Sequence, residues 1–213
     1  MRPATWKWLA VVGGALVFAT ESLAIYVPNP AGRWAGRHFF LAGDFQYNAS
    51  KDLDDGARDA DDTVGFFVRP GYTVAPNVIV YGRFGVQDAD RLDTNFAWGF
   101  GGQGAYPIPD IPELAVGGAF DFLYWSSEDR RARDVDWVEF QFTPGVSYNV
   151  PRVPELTPYA GAMFDFIAGD ANEGDPFGLV FGTNYDVTNR VRLDGQLRVI
   201  SETGFLFSAG YMF

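Results

Sequence analysis

The chain has 213 residues, with 25 Gly, 20 Phe, 10 Tyr, 6 Trp and no Cys. Its 27 acidic and 16 basic residues give a net charge of −11, which excludes the basic face that sequence-independent nucleic-acid binding needs. Without cysteine there is no disulfide scaffold, thiolate metal centre or cysteine nucleophile, and one histidine, His38, leaves none to share a metal with.

The N-terminus, MRPATWKWLAVVGGALVFATESLA, places Arg2 and Lys7 before an apolar run over residues 9–19. Ser22 and Ala24 are then small residues three and one places before a cut, so residues 1–24 read as a cleaved signal peptide. The apolar run is too short to span a bilayer unaided. Residues 25–36 read as a short N-terminal periplasmic segment, and residues 37–213 as one domain, with no linker composition dividing it.

From residue 37 the chain alternates. A first strand over residues 37–47 leads into an acidic link, residues 48–62. A strand ending at Tyr72 follows, then the turn Ala75-Pro76-Asn77 and a strand over residues 78–86. The unit recurs: strands ending at Tyr106, Tyr148, Tyr185 and Tyr211 alternate with strands over residues 114–125, 158–168 and 190–200. Each tyrosine follows a small or polar residue, precedes Val, Ile or Phe by two, and trails Phe or Leu by six. That is period-2 order on both faces, and it predicts ten antiparallel strands, with eight as the alternative count if one hairpin is misread. Short links follow the tyrosine strands, and acidic, mostly longer ones precede them. Pro70-Gly71 and Pro144-Gly145 fall inside strands, where a missing N–H predicts bulges.

The expected fold is therefore an all-β, antiparallel up-and-down barrel closed by its N- and C-terminal strands. With the tyrosine face outward, the opposite face carries Asp44, Arg69, Arg83, Asp121, Glu139, Asp165, Arg192, Asp194 and Arg198, interleaved with Gln, Gly and Ala. The outward face carries Phe, Tyr, Val, Leu, Ala and Gly, as lipid demands. Tyr72, Tyr106, Tyr148, Tyr185 and Tyr211 stand at one height above the short turns, which suits an interface girdle of apolar rings with wet hydroxyls. The final run, GFLFSAGYMF, alternates Phe205, Phe207, Tyr211 and Phe213. It resembles the C-terminal recognition strand of bacterial outer-membrane β-barrels, and the whole pattern resembles the OmpA/OmpX-type barrel superfamily. The resemblance implies a transmembrane barrel in the outer membrane of a Gram-negative envelope. It also implies Tyr211 and Phe213 as an assembly signal read by the barrel-assembly machinery, and outer-membrane lipid and lipopolysaccharide as surroundings. Another envelope protein stays open as a partner.

The inward charges read as a network spanning a narrow lumen, serving either as a solid polar core or as a gate. Asp44, Arg83, Asp121, Asp165 and Arg198 fall near mid-height, and Arg83 and Arg198 are expected to hold the three aspartates. In the first acidic loop Asp52, Asp54 and Asp55 are weak Ca²⁺ candidates, because the EF-hand spacing fails and a solvated loop accounts for them. No other metal site, cofactor or catalytic residue is expected, since His38 has no second histidine or rim partner for a triad. Two function classes remain: a closed or narrowly gated structural and interaction protein with acidic outer loops, or a small pore for ions and small polar solutes. Ten strands enclose little more than their own side chains, which favours the closed class; an outer-membrane enzyme comes third.

Overall fold

The computed structural model describes residues 29–32, 39–49, 53–54, 62–89, 94–128, 134–169, 172–173, 176–200 and 203–213. The signal peptide expected over residues 1–24, and His38, lie outside these. The strands in chain order are β1 (Phe39–Ala49), β2 (Leu53–Asp54), β3 (Asp62–Ala75), β4 (Val78–Ala89), β5 (Asn95–Ile108), β6 (Ile111–Glu128), β7 (Asp134–Tyr148), β8 (Leu156–Gly169), β9 (Asn172–Glu173), β10 (Phe177–Asp186), β11 (Val191–Ile200) and β12 (Thr203–Met212). Ten of them form a closed barrel, each paired with its sequence neighbours in the meander, and β1 closes it against β12. All ten ladders are antiparallel, so the up-and-down reading and the count of ten both hold. The two-residue strands β2 and β9 pair with each other and join the two acidic loops at the opposite end from the short turns.

Alternation builds this barrel because successive side chains point to opposite faces of a strand. The exposed face of β1, β3, β5, β6 and β7 carries Phe39, Leu41, Phe66, Val68, Phe96, Trp98, Phe100, Phe120, Phe140 and Phe142. Their rings meet across the ladders: Phe45 lies 4.9 Å from Phe66, Phe100 4.9 Å from Phe122, and Phe122 5.3 Å from Phe140. Such aromatic pairs between strands help fix the register as well as cover the outside.

The bulges expected at Pro70-Gly71 and Pro144-Gly145 are absent. Register is unchanged across both: Val68 faces Phe84 and Gly71 faces Tyr81, while Phe142 faces Phe164 and Gly145 faces Gly161. Each proline keeps its partner on the other side, Leu41 for Pro70 and Gly118 for Pro144. In an antiparallel strand a residue directs its N–H toward one neighbour only, so a proline interrupts one ladder and leaves the other intact. The irregularities lie instead at Thr73/Ala75 and Pro107/Ile108, beside short turns. In the first of those turns Asn77 takes φ 59°, a left-handed conformation that asparagine tolerates and tight hairpins require.

Candidate functional site

The lumen is the part of this molecule with chemistry. Asp44, Arg69, Arg83, Asp121, Glu139, Asp165, Asp194 and Arg198 are all buried there, and Arg192 is half-buried near the short turns. Two tyrosines that alternation also turns inward, Tyr81 and Tyr159, hold part of this set across neighbouring strands. Tyr81 on β4 lies over Gly101 on β5 and donates its hydroxyl to Asp121 Oδ2 on β6 at 2.5 Å. A methyl at Gly101 would stand 2.7 Å from the Tyr81 ring, so glycine is needed for the tyrosine to cross one whole strand. The device recurs on the other side. Tyr159 on β8 crosses Gly182 on β10, donates to Asp194 Oδ1 at 2.8 Å and accepts from Gln196 Nε2 at 3.0 Å on β11. Sequence reasoning missed both tyrosines, although parity with Arg83 and Asp165 places them inside.

Arg83 acts electrostatically on Asp121 and Asp44, and Arg198 on Asp121, but the hydrogen bonds of Arg69 and Arg83 fall differently from expectation. Arg69, rather than Arg83, forms the ion pair with Asp44, at 3.1 Å, and also donates to Ser208 Oγ at 3.2 Å. Arg83 donates to Gln46 Oε1 at 2.6 Å and stacks over the Phe67 ring at 4.0 Å. Arg198 Nε donates to Gln196 Oε1 at 3.1 Å. Arg192 makes a two-pronged bond to Asp186, at 2.5 and 2.9 Å. The physical reason is reach. Arg69 sits two residues, one inward position, from facing Asp44 across the β1–β3 ladder, since Asp44 faces Phe67 and Ala42 faces Arg69. Arg83 lies a strand further round and meets Gln46 and Phe67 first.

On β7 the inward residues Glu139, Gln141 and Thr143 are buried, and neither carboxylate oxygen of Glu139, neither amide atom of Gln141 nor the Thr143 hydroxyl has a hydrogen-bond partner. Gln141 faces Asp121 on β6 and Asp165 on β8, whereas Glu139 faces Leu123 and Ile167.

The short-turn end of the lumen is filled by backbone. Residues 29–32, part of the stretch read as a periplasmic segment, form a turn inside the barrel, with Gly32 N donating to Asn29 O at 2.9 Å. Asn29 Nδ2 donates to Asn184 Oδ1 at 2.6 Å, and Ser147 Oγ donates to Ala31 O at 2.8 Å. Gly117 and Gly145 make room for this turn, because a side chain on either would collide with Pro30. Beyond it, at the mouth, lies a basin of about 1000 Å³ lined by Glu155, Asn184, Asp186, Arg190, Arg192 and Phe213 among others.

Of the girdle tyrosines, Tyr106 is 63% exposed, and Tyr148, Tyr185 and Tyr211 are exposed as well. Tyr72 is half-buried against Phe39, ring to ring at 4.6 Å. Tyr211 packs edge-on to Phe213 at 5.1 Å and accepts from Arg190 Nη1 at 3.3 Å. Phe213 N bonds Phe39 O at 2.9 Å, tying the last strand to the first. Of the weak Ca²⁺ candidates, Asp52 and Asp55 lie outside the described residues, and Asp54 is described only as part of β2.

No protein-family model matches the sequence, and no characterised protein sequence matches it. Solved structures do resemble the fold. An outer membrane channel from Pseudomonas putida F1 is 10% identical, with 92% of this chain and 100% of that one covered and a TM-score of 0.47. Neisserial surface protein A is 16% identical, covering 85% and 97%, at 0.37. The β domain of the Bordetella autotransporter Brka is 12% identical, covering 84% and 98%, at 0.44. With likeness at this level, the reading of this chain rests on its own geometry.

Proposed function

We propose that this chain is an integral barrel of the bacterial outer membrane that stands closed, as a structural and interaction protein presenting acidic loops outside. The outer face supports the membrane setting: Leu197 is 60% exposed and Phe100 51%, on a face whose strand centres carry no charge. Water would not tolerate so continuous an apolar belt, and lipid requires one. The observation that carries the closed state is the filling of the lumen from both ends. Arg83, Asp121, Leu123 and Trp125 are fully buried in it, and residues 29–32 occupy the short-turn end. The setting brings outer-membrane lipid and lipopolysaccharide as neighbours and the barrel-assembly machinery as the route of insertion. The reading is non-catalytic.

The small-pore reading has one observation in its favour, the basin beneath residues 29–32, which would join the lumen if that turn moved. Planar-bilayer recording separates the two. The intact chain is expected to be silent, and a variant lacking residues 29–32 is expected to pass discrete, salt-dependent steps. Steady conductance from the intact chain would replace the closed reading with the pore.

A further inference from the structure

Among the described residues, five buried carboxylates (Asp44, Asp121, Glu139, Asp165, Asp194) share the lumen with three buried guanidinium groups (Arg69, Arg83, Arg198). The excess of two negative charges is enclosed by protein, where uncompensated charge is costly. Arg83, Arg69 and Arg198 act on Asp121 from nearby strands, but none of them bonds its Oδ1 or either oxygen of Glu139. Both Glu139 oxygens are buried without a hydrogen-bond partner, Glu139 being 0% exposed, and so is Asp121 Oδ1, the oxygen that Tyr81 leaves unused. Gln141 lies between them, one inward position below Glu139 and directly across from Asp121, and its Oε1 and Nε2 are likewise buried and without partners. Facing positions in an antiparallel ladder stand about 5 Å apart, and diagonal ones about 7 Å, so the Asp121 and Glu139 carboxylates can converge on one point beside Gln141 Oε1.

We propose that Glu139, Asp121 and Gln141 Oε1 hold a divalent hard cation, Ca²⁺ or Mg²⁺, inside the lumen. Carboxylate and amide oxygens select hard ions, and two carboxylates match a charge of two. Among the described residues no three acidic or histidine side chains form a metal cluster, so this is a two-carboxylate site completed by an amide. Ions of this kind are commonly bound through one or two carboxylates while retaining water. Glu139 needs such a partner more than any other acid in the set, because its ladder neighbours are Leu123 and Ile167, which offer no hydrogen.

The test is thermal melting of the whole folded chain in zwitterionic detergent, followed by circular dichroism, in Ca²⁺ or Mg²⁺ against EDTA. At a hundredfold excess over Kd, either ion is expected to raise the midpoint by at least about 5 °C, and Na⁺ at equal ionic strength is expected to leave it unmoved. Glu139→Gln should abolish the rise and, in EDTA, should melt above the unsubstituted chain, because it removes an enclosed charge. A D52N/D54N/D55N chain should keep the rise, which separates the lumen from the acidic loop. Should Glu139→Gln fail to fold, Gln141→Leu replaces it, with the expected result a weaker response to the ion. The proposal is overturned by an equal midpoint in divalent ion and EDTA, by an equal rise in Na⁺, by a rise that survives Glu139→Gln or is undiminished in Gln141→Leu, or by a rise lost in D52N/D54N/D55N.

Discussion

On β1, β3 and β4 the buried polar groups meet one another: Arg69 holds Asp44 with its guanidinium 5.3 Å above the Tyr81 ring, and Arg83 holds Gln46 over Phe67. On β7, round the other side of the barrel, Glu139, Gln141 and Thr143 are as deeply enclosed and meet no protein donor or acceptor. Both walls come from the same alternation of polar inward and apolar outward residues. They differ in the side chains that face each polar group. Arginine is long enough to reach across a ladder and offers five donors, whereas β7 carries shorter side chains, Glu139 and Thr143 flanked by Leu123, Ile167 and Ala119 and Gln141 by Asp121 and Asp165. Alternation thus decides which groups go inside, and reach decides which of them find a bond, though Asp44 Oδ2 and Arg83 Nε and Nη1 make none.

The largest break in this comparison should come from Arg83→Met. It removes the bond to Gln46 and the contact with Phe67, and it deepens the negative excess of the lumen by one. Breaking a buried charged arrangement from one side costs about 3–5 kcal/mol, so the urea midpoint of the folded barrel should fall sharply. Glu139→Gln in EDTA should move the midpoint the opposite way. If both lowered stability alike, β7 would be as well satisfied as β4.

Next in size is Tyr81→Phe. It leaves Asp121 Oδ2 buried without the hydroxyl that meets it at 2.5 Å, a loss of about 1–3 kcal/mol. Tyr159→Phe should cost less, about 1 kcal/mol, because its acceptor Asp194 borders a small cavity near the short-turn end where water can replace the hydroxyl. Urea unfolding of the two variants side by side checks the order, and equal losses would mean that the two tyrosine bridges are equivalent.

Much of this was legible before any coordinates. Ten strands, the polar inner set and the row of exposed tyrosines all follow from period-2 order, which needs no knowledge of distant contacts. Partner choice does not follow, because it depends on stagger between strands: Asp44 went to Arg69 across the β1–β3 ladder, and Arg83 to Gln46. The prolines make no bulge because a missing N–H interrupts the single ladder it serves and not the whole strand. The turn at residues 29–32 gave no periodic signal, so nothing distinguished a lumen-filling segment from a free one; only the glycines opposite it, Gly117 and Gly145, bear its imprint. Tyr81 and Tyr159 are legible by parity, since each shares the inward register of a charged residue two or six positions on.

The smallest and sharpest probe of the β7 wall is Thr143→Val. The side chains have nearly the same shape, so packing is preserved and only the hydroxyl changes. That hydroxyl is buried with no partner, and its ladder neighbour toward β6 is Ala119. Removing an unsatisfied buried group should leave stability unchanged or raise it by about 1 kcal/mol, where the same exchange at a bonded hydroxyl would cost that much. Thr143 also stands two inward positions from Glu139, too far to share its ion, so the gain should be the same in EDTA and in Ca²⁺. A loss of stability would show that the hydroxyl is satisfied after all. A gain that vanished on adding Ca²⁺ would extend the ion's reach down the whole β7 column.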